Sequence, residues 1–248
     1  MWLNFLFVSL ERYKKQSTLT YRNKNMFIKL FFRGTDETFS KPLNEEVNGL
    51  INKWLGKENK YHGTFSRYCV SSMQGGSMSK DGILSFKDGG YVIVSSDDVQ
   101  FISTLLNGAM METNGLVKSM KYYKMEMGEF EPYKDYDIVR TISPILISNK
   151  EKNLTFKDKD FIPELTKRSI KKLINCGVDE ELANTLSLEL FHQENAKTKM
   201  VEVKKQKNIC SQVMLIVKGN KDIRKKMYEL GFGKSTGFGF GAVTIIRK

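Results

Sequence analysis

The chain is long, basic and poor in histidine. It has 248 residues, 40% of them hydrophobic, and a formal net charge of +12. This length and apolar content suit one large domain or two small ones. The charge favours a polyanionic partner, nucleic acid ahead of a membrane surface, although a solubilising lysine-rich surface would explain it too. With two histidines, His62 and His192, a histidine-rich metal site is excluded.

Cysteine usage and hydropathy indicate a cytoplasmic protein that does not bind a membrane. Cys69, Cys176 and Cys210 are odd in number and far apart, so they predict neither a disulfide framework nor a zinc site. The apolar run at residues 2–10 is too short to span a bilayer and lacks the flanks of a signal peptide.

The first unit follows a stretch of different character. We interpret residues 1–25 as an extension or a start-site artefact, with Met26 as the natural start. From Met26 the hydrophobic pattern predicts strand, helix, strand, strand, helix, strand, the order of a ferredoxin-like, or RRM-like, α+β domain over residues 26–128. The predicted strands are 27–32, 64–72, a hairpin of 82–86 with 91–95, and 116–127. The predicted helices are 42–55 and 96–111, and the spacing of the second places Val99 on its inward face.

An acidic linker then leads to a second unit over residues 136–248, again predicted to be ferredoxin-like but with an extra helix. The sequence therefore predicts two tandem α+β domains. The predicted strands of the second are 136–147, 197–203, 209–218 and 242–246, and the predicted helices are 161–176, 180–193 and 222–230.

A glycine-rich loop at residues 231–241 is the most distinctive motif. Glycine permits positive φ, and successive exposed N–H groups form a nest for anions, so we expect this loop to hold phosphate. Lys234, Ser235 and Thr236 lie at its centre. A Walker A loop is disfavoured because Tyr228 stands where that motif needs glycine, and a dinucleotide fingerprint is disfavoured because no helix follows. The glycines are Gly231, Gly233, Gly237, Gly239 and Gly241.

Charge and aromatic side chains surround this loop. Residues 197–234 contain eleven Lys or Arg and three acidic residues, which favours nucleic acid over a merely solubilising surface. Phe232, Phe238 and Phe240 could stack on bases, but we favour packing against the core. Tyr122 and Tyr123 point to opposite faces of a strand, so at most one of them can face a partner.

At this point the sequence resembles the CRISPR-associated repeat-RNA endoribonucleases, which belong to a superfamily of tandem ferredoxin-like proteins. The loop at 231–241 looks like the glycine-rich loop of that family in pattern and position. The segment 141–145 is similar to its strand opening the second domain, and residues 65–72 with Gly75 and Gly76 resemble its second strand. The resemblance spans residues 26–248.

The resemblance implies a metal-independent cut within the repeat of a CRISPR precursor transcript, with no cofactor. The ribose 2′-OH attacks the adjacent phosphodiester, leaving a 2′,3′-cyclic phosphate and a 5′-OH. Such a reaction needs a base, an acid and a cation. The implied partners are CRISPR repeat RNA and other CRISPR-associated proteins, and the implied state is a monomer or homodimer. A non-catalytic repeat-RNA-binding or scaffold subunit, and a plain RRM-like protein, are the alternatives.

His62 lies where this family commonly carries its catalytic histidine, in the loop after the first helix. The alternative is an exposed histidine without a role. Tyr61 and Lys60 are its candidate partners, and Lys60, Arg67 or Lys234 supplies the cation. We assign RNA binding to Arg67 and to the glycine-rich loop. For His192 we expect a structural or surface role at the end of a helix.

Overall fold

The structure, a computed structural model, describes residues 26–56, 61, 66–112, 114–133 and 135–246. The extension at residues 1–25 therefore lies outside the described residues. The elements of the first half are strands β1 (Met26–Phe32), β2 (Thr38–Phe39), β3 (Tyr68–Val70), β4 (Ser77–Met78), β5 (Leu84–Ser85), β6 (Gly90–Ser96), β7 (Leu116–Val117) and β8 (Met120–Glu129), and helices α1 (Asn44–Leu55) and α2 (Val99–Met111).

The main sheet of this half has the antiparallel order β3-β6-β1-β8-β7. Its first four strands reproduce the ferredoxin-like arrangement, with β7 added at one edge. Strand β1 alternates as a half-buried strand should, so that Ile28, Leu30 and Phe32 enter the core beneath α1 and α2. Helix α2 begins where predicted, because the Asp98 side chain accepts hydrogen bonds from the N–H groups of Gln100 and Phe101.

Three predictions for this half are wrong. Strand β5 does not form a hairpin with β6 but pairs with β2 and β4 in a separate sheet, since both edges of β6 are occupied by β1 and β3. The predicted strand 116–127 is a hairpin of β7 and β8, turned at Lys118, whose φ is 54°. Val99, expected to face inward, is exposed.

The second half repeats the plan. Its main sheet has the order β12-β15-β9-β16, and helices α3 and α5 pack on it. The elements are strands β9 (Tyr136–Thr141), β10 (Ile147–Ser148), β11 (Asn153–Leu154), β12 (Ser187–Phe191), β13 (Lys197–Val203), β14 (Gln206–Gln212), β15 (Met214–Lys218) and β16 (Val243–Ile245), and helices α3 (Phe161–Asn175), α4 (Glu180–Ala183) and α5 (Lys221–Leu230).

The predicted helix at 180–193 is wrong beyond its first turn. Helix α4 ends at Ala183, and the chain then enters strand β12, which pairs antiparallel with β15. The physical reason is a period of two, since Leu186 and Leu188 are buried while Ser187 and Glu189, which alternate with them, are exposed. The two ferredoxin-like sheets confirm the predicted fold class. Whether residues 26–128 and 136–248 fold independently stays a prediction.

A buried ion pair fixes α5 to the start of β9. Arg224 Nη1 donates to Asp137 Oδ2 at 2.6 Å, and the Tyr228 hydroxyl donates to the same oxygen at 2.6 Å. Both charged side chains are fully buried. Burial and the bond to Asp137 raise the pKa of Tyr228. Since α5 leads directly into residue 231, this cluster sets where the glycine-rich loop begins.

Candidate functional site

The glycine-rich loop, residues 231–241, leaves the end of α5 and returns the chain toward β16. Gly231, Gly233, Gly239 and Gly241 all have positive φ, between 68° and 83°, which explains the run of glycines. Phe232 and Phe240 are fully buried and Phe238 is half-buried. The preferred reading of these aromatics, packing rather than stacking on bases, is therefore confirmed for Phe232 and Phe240.

Five of the eleven N–H groups of the loop donate hydrogen bonds within the protein. The amides of Phe232, Lys234, Phe238 and Gly241 donate to the carbonyls of Gly241, Leu146, Ser235 and Pro144 at 2.8–3.0 Å, and that of Gly231 donates to Met227. The expected nest of exposed N–H groups is therefore wrong for these five positions. In the loop, all of which the structure describes, the exposed residues are Lys234 and Ser235.

The loop docks on the N-terminal half through hydrogen bonds that end on main-chain oxygens. Thr236 Oγ1 donates to the carbonyl of Tyr68 at 3.0 Å. From α1, Asn48 Nδ2 donates to the carbonyl of Gly237 at 2.9 Å, and Asn44 Nδ2 donates to that of Phe238 at 3.1 Å. A Cβ on Gly237 would lie 2.8 Å from the Tyr68 ring, so glycine is required there.

Tyr61 reaches the same region from the segment after α1. Its hydroxyl donates to Asp98 Oδ2 at 2.8 Å, and its ring meets Phe101 edge-on at 5.0 Å. Tyr68 stacks on Phe101 at 4.5 Å. Tyr61 and the loop thus meet at one aromatic cluster. Burial and the bond to Asp98 raise the pKa of Tyr61, so it is a neutral hydrogen-bond donor at physiological pH. His62 and Lys60 lie outside the described residues.

Arg67 forms a fixed cationic site one residue before Tyr68. Its Nε and Nη2 donate to the two oxygens of Asp97 at 3.1 and 2.7 Å, and Lys226 Nζ lies 3.2 Å from the same carboxylate. Two cations thus share the carboxylate of Asp97, while the neighbouring carboxylate of Asp98 accepts the Tyr61 hydroxyl. The bidentate pair holds the guanidinium in one plane, while 42% of the Arg67 side chain stays exposed.

Lys234 points to a different neighbour. Its Nζ donates to Ser148 Oγ on β10 at 2.6 Å, and its exposed side chain remains accessible. The structure therefore brings Thr236 and Gly237 to the Tyr68 region, next to Arg67 and near Tyr61, and directs Lys234 toward β10 instead. The predicted site residues fall into two groups rather than one.

Sequence reasoning missed three polar residues that hold the loop. Asn44 and Asn48 stand four residues apart on the apolar face of α1, and Lys172 stands beside Leu165 and Leu173 on that of α3. Lys172 is almost fully buried, and its Nζ donates to the carbonyls of Leu230 and Gly231 at 3.0 Å each. Burial lowers the pKa of Lys172 to about 8. Each of these residues is a polar side chain within the apolar face of a helix, and that position is the feature of the sequence that could have identified them.

His192 lies far along the chain from this cluster, after β12 rather than at a helix end. It has a φ of 49°, and its Nδ1 lies 2.7 Å from Glu194 Oε1 in an exposed position. Among the described residues, no group of three or more His, Cys, Asp or Glu side chains is suited to a metal ion. Nor does any described helix combine the length and apolar character needed to cross a bilayer.

Two ferredoxin-like sheets in tandem, bridged by the glycine-rich loop at residues 231–241, place the chain in the class of tandem ferredoxin-like proteins. Residues 126–245 match the family model described as CRISPR associated protein Cas6, C-terminal. The resemblance to this family that the sequence predicts is thereby confirmed, and residues 126–245 are similar to the C-terminal part of the Cas6 proteins.

One curated protein and two solved structures are also similar to this chain. The chain is 26% identical over 172 residues to the CRISPR-associated endoribonuclease Cas6 1 of Methanocaldococcus jannaschii, a match that covers 66% of each chain. A Cas6-related protein from Pyrococcus furiosus superposes with a TM-score of 0.76 at 21% identity, covering 90% of this chain and 99% of that one. An RAMP protein binding different RNA substrates superposes equally well, with a TM-score of 0.76 at 19% identity over 90% of this chain and all of that one. These two structures show the fold.

Proposed function

We propose that the chain is a metal-independent endoribonuclease that cuts CRISPR precursor transcripts within the repeat to give guide RNAs. The observation that carries the proposal is the contact with Tyr68 made by the glycine-rich loop, which lies within the residues that match the Cas6 C-terminal model. That contact joins the loop to the segment after α1, which contains Tyr61 and Arg67. The curated relative from Methanocaldococcus jannaschii is a CRISPR-associated endoribonuclease, which supports the same class of reaction here.

The proposed chemistry is an internal transfer on the RNA itself. The 2′-OH attacks the adjacent phosphorus, its proton passes to a base, and an acid protonates the departing 5′-oxygen. The products are a 2′,3′-cyclic phosphate and a 5′-OH. We assign acid–base catalysis to His62, because imidazole titrates near neutral pH, with Tyr61 and Lys60 beside it.

Arg67 is the proposed cation for the negative charge that develops on the phosphorane. Its bidentate pair with Asp97 supports this role, because a charge held in place need not reorganise during the reaction. The glycine-rich loop is proposed to hold the RNA backbone through Lys234 and Ser235, its exposed residues, while Thr236 and the glycines at 231, 233, 237, 239 and 241 maintain its path. Cytoplasmic location, other CRISPR-associated partners and a monomeric or homodimeric state belong to the same proposal.

The decisive experiment compares His62→Ala with His192→Ala, which removes the other histidine. Cleavage of a labelled repeat RNA is followed on denaturing gels in EDTA under single-turnover conditions, and the ends of the products are identified by mass spectrometry. We expect His62→Ala to be slower by about 10²- to 10⁴-fold with nearly unchanged RNA affinity, and His192→Ala to match the wild type. Cleavage by His62→Ala at the normal rate would refute the assignment. A wild-type protein that binds the repeat without cutting would instead support the non-catalytic subunit.

A further inference from the structure

A cluster of aromatic side chains lies on the face of the N-terminal sheet that α1 and α2 leave open. Phe31 on β1 and Tyr91 on β6 are directly paired residues with ring centroids 6.0 Å apart, and the Tyr123 ring on β8 lies 6.4 Å from Phe31. Phe31 and Tyr91 are half-buried, and Tyr123 is 51% exposed. The rings therefore form a connected apolar surface that solvent reaches.

A β-bulge brings two consecutive residues of β8, Tyr123 and Lys124, to this surface. The register of β8 against β1 skips Tyr123, because Phe31 pairs with Lys124 and Phe32 pairs with Tyr122. Tyr122 turns to the helices, where it meets Trp54 at 5.0 Å, whereas Tyr123 and Lys124 both approach Phe31. The strand thus departs from simple alternation at Lys124, which places a cation beside the third ring.

Cations surround the three rings. Lys29 Nζ lies 3.8 Å from the centroid of Tyr91, Lys124 Nζ lies 5.3 Å from that of Phe31, and the Arg33 guanidinium carbon lies 5.2 Å from that of Tyr123. The carboxylate of Glu126 pairs with Lys124 at 2.6 Å. Three cations against one carboxylate make the patch positive as well as aromatic.

Aromatic rings surrounded by cations favour RNA over a protein as the molecule that binds this surface. The centre of a protein interface is depleted of charged residues, so lysines directly over the rings disfavour a protein partner. Unpaired nucleotides present flat bases to stack on aromatic rings and phosphates to pair with cations. Adjacent aromatic residues on the two central strands of a ferredoxin-like sheet also form the stacking surface of RRM domains.

We propose that Phe31, Tyr91 and Tyr123 form a stacking platform for unpaired bases of RNA, with Lys29, Arg33 and Lys124 contacting the flanking phosphates. The inference that this RNA is the repeat transcript rests on the proposed function. The platform lies on the opposite face of the sheet from α1 and the docked glycine-rich loop. It therefore contributes affinity for single-stranded segments, separately from the cutting chemistry.

The test measures the dissociation constants of a fluorescent repeat RNA and of an oligouridylate in EDTA for single-residue variants. Tyr123→Ala and Tyr91→Ala should each weaken binding of both RNAs by about tenfold, the usual effect of losing one stacked base. Tyr123→Phe keeps the ring and should bind as the wild type does. Tyr136→Ala, which removes an exposed tyrosine of the C-terminal half, is the matched control and should have no effect.

Replacing the bases of the oligouridylate by abasic residues provides a test that does not depend on folding of the variants. The wild type should lose affinity, and Tyr123→Ala should lose less, because its stacking partner is already absent. Unchanged binding by both alanine variants, or an equal loss in Tyr123→Phe, would overturn the platform. Failure of the wild type to cut repeat RNA, with ring-dependent oligouridylate binding retained, would refute the nuclease proposal while supporting this one.

Discussion

The buried ammonium of Lys172 predicts an unusual pH dependence of stability for a lysine variant. Lys172→Met keeps the length of the side chain but removes the donor to the carbonyls of Leu230 and Gly231. Each buried acceptor left without a partner costs about 1–3 kcal/mol. Against that, a pKa near 8 instead of 10.5 means that holding the charged form in the core costs about 3 kcal/mol.

The two effects nearly offset at neutral pH, so we expect Lys172→Met to lose only about 1 kcal/mol of unfolding free energy at pH 7. Above pH 8 the folded wild type releases the proton, whereas the unfolded chain keeps it up to about pH 10.5. The unfolded state then binds more protons, so this group makes the wild type more stable as pH rises across that window. The methionine variant has no group that titrates at this position, so its stability does not rise in this way.

Urea unfolding of the wild type and Lys172→Met at pH 7, 8, 9 and 10 measures this difference. The gap between the two proteins should widen by about 2–3 kcal/mol from pH 7 to pH 10. The difference in unfolding free energy between the two proteins removes the contribution of other groups that titrate in this range. Lys171→Met changes an exposed lysine of the same helix and controls for the substitution itself. A gap that stays constant with pH would refute the account of Lys172 as a charged donor buried at a cost.

Three further predictions concern the loop. Asn48→Asp replaces the donor to the Gly237 carbonyl by a buried carboxylate, so thermal unfolding should show a loss of about 3 kcal/mol, and Asn48→Ala should lose less. Gly237→Ala should slow RNA cleavage and lower the melting temperature, because the methyl group meets the Tyr68 ring; wild-type values for both would contradict that close contact. Lys234→Glu should weaken RNA binding with unchanged stability, whereas Lys221→Glu, a charge reversal on α5, should bind more tightly than Lys234→Glu; equal affinities would argue against the loop as an RNA contact.

The fold was predictable because most elements carry a clear period. Strand β1 alternates and α1 repeats its apolar residues at helical spacing, and both formed as predicted. The errors occurred where local pattern is ambiguous. Residues 187–191 are rich in leucine and also fit a helix, and only pairing with β15 decides for a strand. Likewise, the partner of β5 depends on which edges of the sheet remain open, which is not a local property.

The candidate site was predictable only as a set of sequence segments. The glycine pattern at 231–241 identified the loop, but the sequence did not show that the loop is buried against α1 and Tyr68. That fact requires knowing which carbonyl each side chain reaches. The pairs Asn48 with Gly237 and Thr236 with Tyr68 join positions 189 and 168 residues apart, a separation at which periodicity carries no information.

The bonds that seat the loop bear on how freely its sequence can vary among descendants of this protein. Asn44, Asn48 and Thr236 all donate to main-chain oxygens, which every amino acid possesses. Residues 237 and 238 are thus held through their carbonyl oxygens, and these bonds do not depend on the side chains at those two positions. Substitutions at an accessible neighbour such as Ser235 can change the exposed surface of the loop without breaking these bonds, provided that the two asparagines of α1 persist. A chimaera that joins the N-terminal half of one homologue to the C-terminal half of another should fold best when its α1 has asparagine at both of these positions.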